Sequence, residues 1–355
     1  MRAKSQAGLI LGAALLVGVG VGVGVGGAAC RRDARIPLLI YSPHGRDLLT
    51  LVEKTYEQSH PQVDVRWLDM GSQEVYDRLR AEKENPQADV WYGGPAEIFA
   101  RGAADGLLAR FRPSWADSVP PESRHEGDLS FGLYRTPAMI VYNSAAVPAA
   151  EAPREWDDVL LPRWKGKVLI REPLASGTMR AIFGMVLARS VAETGSPDRG
   201  FDWLRRLDAQ TKEYVVNGTL LMEKIVRREG LITLWDLPDV LLERAAGAPL
   251  GYVFPPSGSP VIDDAVALVR GARHPDAARE LIEWLGGVEA QRLAAQVAYR
   301  LPARTDLPEA ELPEWARQVL KDLVPAKVDW KLVREMGPRW MFVWDREIRG
   351  KGSAR

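Results

Sequence analysis

The apolar positions divide this chain into an N-terminal leader and an alternating body. Residues Ala7–Ala29 read AGLILGAALLVGVGVGVGVGGAA without a single charge, behind Arg2 and Lys4. Beyond them the pattern switches to short segments of two kinds. Ile36–Tyr41 is an apolar run of strand length, closed by the turn-forming Ser42-Pro43-His44-Gly45. From Asp47 to Gln58, Leu48, Leu49, Val52 and Tyr56 follow helical spacing. Val63, Val65 and Trp67 alternate with Gln62, Asp64 and Arg66, which predicts a strand with one buried face. Gly71-Ser72 starts the next helix, with Ser72 as its cap and Val75, Tyr76 and Leu79 turned inward. Ala88–Tyr92 is a third strand, ending at Gly93-Gly94, and Pro95 suits the first turn of a third helix.

The same reading continues down the chain. Gly132–Asn143 is strand-rich and Trp156–Pro162 forms a short helix. Lys167–Ile170 is a strand, followed by the loop 171–176 and a helix from Thr178 striped by Met179, Ile182, Phe183, Val186 and Leu187. Residues 219–229 are helical and stop at Gly230. Strands at Leu231–Trp235, Leu250–Phe254 and Val261–Val269 are interleaved with helices at Leu237–Ala246, Pro275–Leu285 and Val288–Ala298, and the tail from about residue 309 is helical and rich in Trp. Alternating strand and helix predicts an α/β protein with a largely parallel sheet covered on both faces, in which ligands bind beyond the carboxyl ends of the strands.

The leader changes the picture of where this fold works. A charged start, an apolar stretch and small residues before Cys30 describe an export signal. Gly27-Ala28-Ala29-Cys30 resembles a lipobox, in which the signal is cut and Cys30 is lipidated, although Gly27 replaces the usual Leu. The competing reading is an uncleaved membrane-spanning anchor, for which 23 uncharged residues suffice. Residues 1–29 are then signal peptide and 30–35 a basic tether. Without the signal the chain has 45 basic and 47 acidic residues, so no basic field draws it to nucleic acid. Cys30 is the only cysteine, which excludes an internal disulfide, a cysteine nucleophile or a Cys-ligated metal in the body. None of the common hydrolase, metalloprotease, phosphate-loop or dinucleotide motifs occurs, and His44, His60, His125 and His274 are scattered, so neither catalysis, a metal nor a cofactor is expected.

Four stretches, LIYSPHGRDLLTLVEKTYEQSHPQVDVRW with RLRAEKENPQADVWYGG, WDDVLLPRWKGKVLIREPLASGTM, and GAPLGYVFPPSGSPVIDDAVALVRGARHPDAARELIEWLGGVEAQ, together resemble the bacterial solute-binding proteins of ABC transporters with the type II periplasmic fold. The branch they most resemble holds the ferric-iron, sugar-phosphate and aminoethylphosphonate binders. The resemblance implies two α/β lobes joined by two crossover strands around a ligand cleft. It places one lobe at 36–140 plus 265–305, the second at 141–264, and a C-terminal helical segment at 306–355. It also implies a monomer that captures a small-molecule ligand by hinge closure and hands it to an ABC permease, held at the membrane through Cys30. A lipoprotein that senses a ligand without transporting it is the alternative.

Candidate ligand residues follow the same map. Ser176-Gly177-Thr178 opens a helix whose free N–H groups suit an anion, or serves only as a cap. Ser42 and His44 follow the first strand, and Gly93 and Gly94 the third; each either faces ligand or serves a turn. Trp235 and Asp236 follow a strand of the second lobe, with Asp236 as ligand acceptor or helix cap. Asp263, with Asp264, sits on the second crossover and faces either the cleft or solvent. Arg171 either pairs with a phosphate or carboxylate or stays at the surface. The paired tyrosines that ferric binders carry near 235 are absent. An anionic, phosphate- or phosphonate-bearing ligand is therefore the first expectation, with ferric iron and polyamine as alternatives.

Overall fold

The computed structural model describes residues 35–351. The leader and Cys30 lie outside the described residues. Ile36–Ser42 (β1) leads into Gly45–Ser59 (α1), Val63–Asp69 (β2) into Ser72–Ala81 (α2), and Val90–Pro95 (β3) into Ala96–Ala104 (α3). After the two-residue Leu108–Ala109 (β4) comes the long Phe131–Asn143 (β5). A second alternation follows: Val168–Arg171 (β6), Gly177–Thr194 (α4), Asp198–Gln210 (α5), Thr211–Val215 (β7), Gly218–Val226 (α6), Ile232–Asp236 (β8), Leu237–Ala245 (α7) and Leu250–Val253 (β9). The chain returns through Val261–Val269 (β10), Pro275–Gly286 (α8), Val288–Ala298 (α9) and Leu301–Pro302 (β11). It ends in Glu314–Asp322 (α10), Trp330–Val343 (α11) and a wide turn at Trp344–Ile348.

The strands run in the order β2-β1-β3-β10-β5-β8-β6-β7. β1 is parallel to β2 and β3, and β6 is parallel to β7 and β8. Between these two parallel blocks lie β5 and β10, antiparallel to each other and to their outer neighbours. β5 changes partner at one point. Its residues Phe131–Pro137 pair with β10, whereas Ala138–Tyr142 pair with β8. Each parallel block carries its own core, so we refer to the β1–β3 block as the first lobe and the β6–β8 block as the second. β5 and β10 are the crossovers.

In the first lobe, alternation along the strands feeds two cores. Leu38, Ile40, Val90 and Tyr92 pack on one face with Leu48, Leu49, Val52 and Tyr56 of α1 and with α8. Tyr41 and Trp91 point to the other face, against Val75, Tyr76 and Leu79 of α2 and Phe99 of α3. Burial on both faces explains why these strands read as nearly continuous apolar runs. The second lobe has one large core under α4, α5 and β5, and the C-terminal segment is part of it. Trp344 is fully buried, edge-on to Phe183 and Tyr214 at centroid distances of 5.6 and 5.4 Å.

Three local expectations need correction. The helix at 72 is capped by Gly71 rather than Ser72: Glu74 Oε2 accepts the Gly71 N–H at 2.6 Å, which frees the Ser72 side chain. The third strand does not stop before the glycines but runs through Gly93 and Gly94, both with positive φ (95° and 106°). The 219–229 helix ends at Val226, well before Gly230, and opens one residue earlier on an Asn217 cap.

Candidate functional site

A cleft of about 500 Å³ lies between the lobes, at the carboxyl ends of the parallel strands. Its walls are helix starts. The first turns or caps of α1, α2 and α3 line it from the first lobe, and those of α4, α6 and α7 from the second. Each start presents N–H groups with no partner inside its own helix, and the six dipoles converge their positive ends on one space. The βα alternation produces this geometry directly, because every strand of a parallel block delivers its following helix start to the same edge.

Two arginines complete the positive side. Arg171, at the end of β6, is buried and leans its Nη1 on the Val215 carbonyl at 3.5 Å. Arg300, just past α9, is also buried and donates Nη2 to the His44 carbonyl at 3.1 Å. Neither makes an ion pair with a carboxylate among the described residues. The Arg300 Nε has no partner among the described residues.

Carboxylates form the opposite character of the same cleft: Asp69 and Glu74 from the first lobe, Asp236 and Asp239 from the second, and Asp264 from β10. Burial raises the Asp69 carboxyl, and Asp239 across the cleft adds to the rise. Burial likewise pushes Asp236 well above the usual carboxylate range, with Asp239 reinforcing it and Arg300 opposing it. Asp264 is raised by burial against the pull of Arg300; it accepts the Gly94 N–H at 3.1 Å and the Thr136 hydroxyl.

The structure brings most of the anticipated residues together. Ser176 caps α4, its Oγ accepting from Met179 N at 3.2 Å, and Gly177 and Thr178 line the cleft beside it. Thr178 donates to Asp236 at 3.2 Å. Asp236 therefore both caps α7 and faces the cleft, and Trp235 donates its Nε1 to Asp239 at 2.9 Å. His44 lines the cleft edge-on to Tyr92 and Tyr134, at 4.7 and 5.7 Å between ring centroids. Burial, aided by Arg300, holds its imidazole well below the usual histidine range, so it is neutral. Gly94 lines the cleft as well.

Three candidates sit elsewhere. Asp263 points to the opposite face of β10 from Asp264 and accepts the Ser123 hydroxyl at 2.9 Å, because neighbours on a strand alternate sides. Ser42 is fully buried below the cleft and accepts the His44 N–H at 3.1 Å. Gly93 packs beneath the His44 ring; a Cβ there would lie 2.3 Å from Nε2. The sequence reading also missed Asp69, Glu74, Thr136, Asp239 and Arg300. Asn217-Gly218-Thr219, at the start of α6, also lines the cleft, and the Asn217 Oδ1 accepts from Leu220 N at 2.8 Å. Among the described residues no group of His, Cys, Asp or Glu is arranged to hold a metal ion.

The profile of one family, described as bacterial extracellular solute-binding protein, matches residues 52–321. This chain is a bacterial extracellular solute-binding protein. A Sinorhizobium fredii protein named as an ABC transporter periplasmic-binding protein is 27% identical over 319 residues, covering 88% of this solute-binding protein and 86% of the relative. A Salmonella typhimurium periplasmic protein named for 2-aminoethylphosphonate binding is 28% identical over 266 residues, with coverage of 69% and 71%. Among solved structures, the periplasmic binding protein AfuA from Actinobacillus pleuropneumoniae, with fructose-6-phosphate bound, is similar at 26% identity and a TM-score of 0.78, covering 88% of this chain and 98% of that one. The two-lobed architecture and the cleft at the strand ends of this solute-binding protein are those of the matched fold.

Proposed function

We propose that this solute-binding protein captures a small organic anion carrying a phosphate or phosphonate group together with amine or hydroxyl groups, and delivers it to the permease of an ABC importer. The observation that carries the ligand class is the pair of buried, ion-pair-free arginines, Arg171 and Arg300, set among six helix starts. A buried guanidinium with no carboxylate in contact is costly, and a bidentate oxyanion is the group that relieves it. The facing carboxylates Asp69 and Asp239, the former raised by burial and by the latter's charge, suit an ammonium or hydroxyls at the far end of the same ligand. The names of the relatives support this chemistry: one is named for 2-aminoethylphosphonate and another holds fructose-6-phosphate. A polyamine is the second reading, favoured by the five cleft carboxylates. The leader and Cys30 support export and a lipid anchor, which would hold a single-chain binding protein close to its permease.

The test is a thermal-shift panel of 2-aminoethylphosphonate, fructose-6-phosphate, ferric citrate and spermidine on the chain from Arg35 onward, which forms one compact unit. A ligand at 100 times its dissociation constant adds about 2.7 kcal/mol to native stability, which such a scan registers. A shift with a phosphate or phosphonate that disappears in Arg300→Gln supports the reading. A shift with spermidine alone replaces it with the polyamine.

A further inference from the structure

Behind the ligand cleft, a second and smaller hollow of about 70 Å³ opens between α3 of the first lobe, α4 of the second and the C-terminal α11. Its floor is apolar, formed by Ile98, Leu187, Val333 and Trp340. Its charged lining is lopsided. Arg101 comes from α3, Arg180 from α4 and Arg334 from α11, against one carboxylate, Glu97. Glu97 feels the charge of Arg334, while Asp77 of α2, whose charge opposes the lowering of Arg180, is exposed and pairs with Arg80 at 3.6 Å. Neither Arg101 nor Arg180 makes an ion pair among the described residues.

Both guanidiniums are nonetheless fixed in place. Arg101 stacks over the Tyr76 ring at 4.5 Å and donates Nη1 to Gln73 Oε1 at 3.3 Å. Arg180 donates Nε and Nη2 to the Leu174 carbonyl at 3.1 and 2.7 Å. Burial pushes Arg180 down to about 10, and the positive charge of Arg101 pushes the same way. Two like charges from opposite lobes are thus held towards one hollow with their forks immobilised, an arrangement that repels until an anion enters. The lobes meet directly beside it, where Gln73 N donates to the Ala175 carbonyl at 3.4 Å.

We propose that Arg101 and Arg180 form a second oxyanion site, distinct from the ligand cleft, which takes a phosphate-class anion and ties the two lobes together. The anion supplies the direct ion-pair partner that neither Arg101 nor Arg180 has among the described residues, so its binding favours the arrangement in which α3 and α4 are close. By linkage, an anion that prefers this arrangement also strengthens any cleft ligand that prefers it. The chemistry can be met by free inorganic phosphate or by a second phosphate on a long cleft ligand, since Pro95 and Gly177 line both spaces.

The experiment is calorimetric titration of inorganic phosphate into the chain from Arg35 onward and into Arg101→Gln, Arg180→Gln and Arg300→Gln, at constant ionic strength. The expected result is phosphate binding in Arg300→Gln that is weakened at least tenfold when Arg101→Gln is added, and a radius of gyration that contracts with phosphate in Arg300→Gln. Arg101→Gln alone keeps the binding that belongs to the cleft. Should free phosphate leave Arg300→Gln untouched, while a bisphosphorylated sugar binds wild type at least tenfold more tightly than Arg101→Gln, the second phosphate of a cleft ligand is the occupant. Phosphate binding that vanishes in Arg300→Gln and is indifferent to both Arg101→Gln and Arg180→Gln, with a bisphosphate equally indifferent, overturns the proposal. That outcome leaves the reading of the cleft standing.

Discussion

Gly177 offers a direct test of whether ligand capture depends on the lobes meeting at the cleft mouth. It opens α4 in the second lobe, and a Cβ built on it would lie 2.6 and 2.8 Å from Pro95 Cδ and Cγ and 2.8 Å from Ser72 Oγ, all in the first lobe. Carbon atoms in ordinary contact sit about 3.5–4.0 Å apart, so Gly177→Ala forces the lobes apart by roughly 1 Å at this point. The substitution asks nothing unusual of the backbone, since Gly177 has no left-handed φ and alanine is the better helix former. Ligand-free stability should therefore be unchanged or slightly higher. A ligand bridging the lobes would lose one hydrogen bond to a charged group, about 1.5–3 kcal/mol, which is a fall of about 10- to 100-fold in affinity. Calorimetric titration of wild type and variant with 2-aminoethylphosphonate and fructose-6-phosphate measures the change, and thermal melts without ligand supply the control. Adding Pro95→Ala removes both clashing ring carbons and should restore part of the affinity. Equal affinity for wild type and Gly177→Ala would refute the argument, as would a loss of affinity matched by a loss of ligand-free stability.

Trp344→Ala empties a fully buried site against Phe183 and Tyr214 and should cost about 3–5 kcal/mol in urea unfolding; a cost under 1 kcal/mol would mean the C-terminal segment is dispensable to the second-lobe core. Glu97 is raised to about 7 from 4.5, chiefly by burial. Its native state holds the proton more tightly than the unfolded chain, so this contribution is complete below about pH 4.5 and is lost as pH rises through 7. Between pH 4.5 and 8, wild type should lose about 3 kcal/mol relative to Glu97→Gln, and parallel stability profiles of the two proteins would contradict it.

Much of this architecture was legible because parallel blocks write themselves plainly. Strands buried on both faces give apolar runs, and amphipathic helices between them give the alternation that placed β1, β2, β6, β8 and β10. The pair α5–β7 escaped, and for β7 the reason is physical: of Thr211–Val215 only Val215 is buried, so the segment lacks the apolar run of a central strand. The site was legible where a helix start carries its own signature, as Ser176-Gly177-Thr178 does. Arg300 and Asp69 carry none, since a single charged residue beyond a helix or at a strand end reads as surface until the fold is closed around it. Asp263 and Asp264 show the same limit from the other side. Adjacent acids on one strand must face opposite ways, and sequence does not say which of the two is turned to the cleft.

The packing of Trp344 on Phe183 has a consequence for the order in which the chain is assembled. These two residues of one core are separated by roughly 160 positions, a long-range contact of the kind that slows folding. The second lobe therefore cannot complete its interior until Trp344 reaches Phe183, whereas every residue of the first-lobe cores precedes Trp344 in the chain.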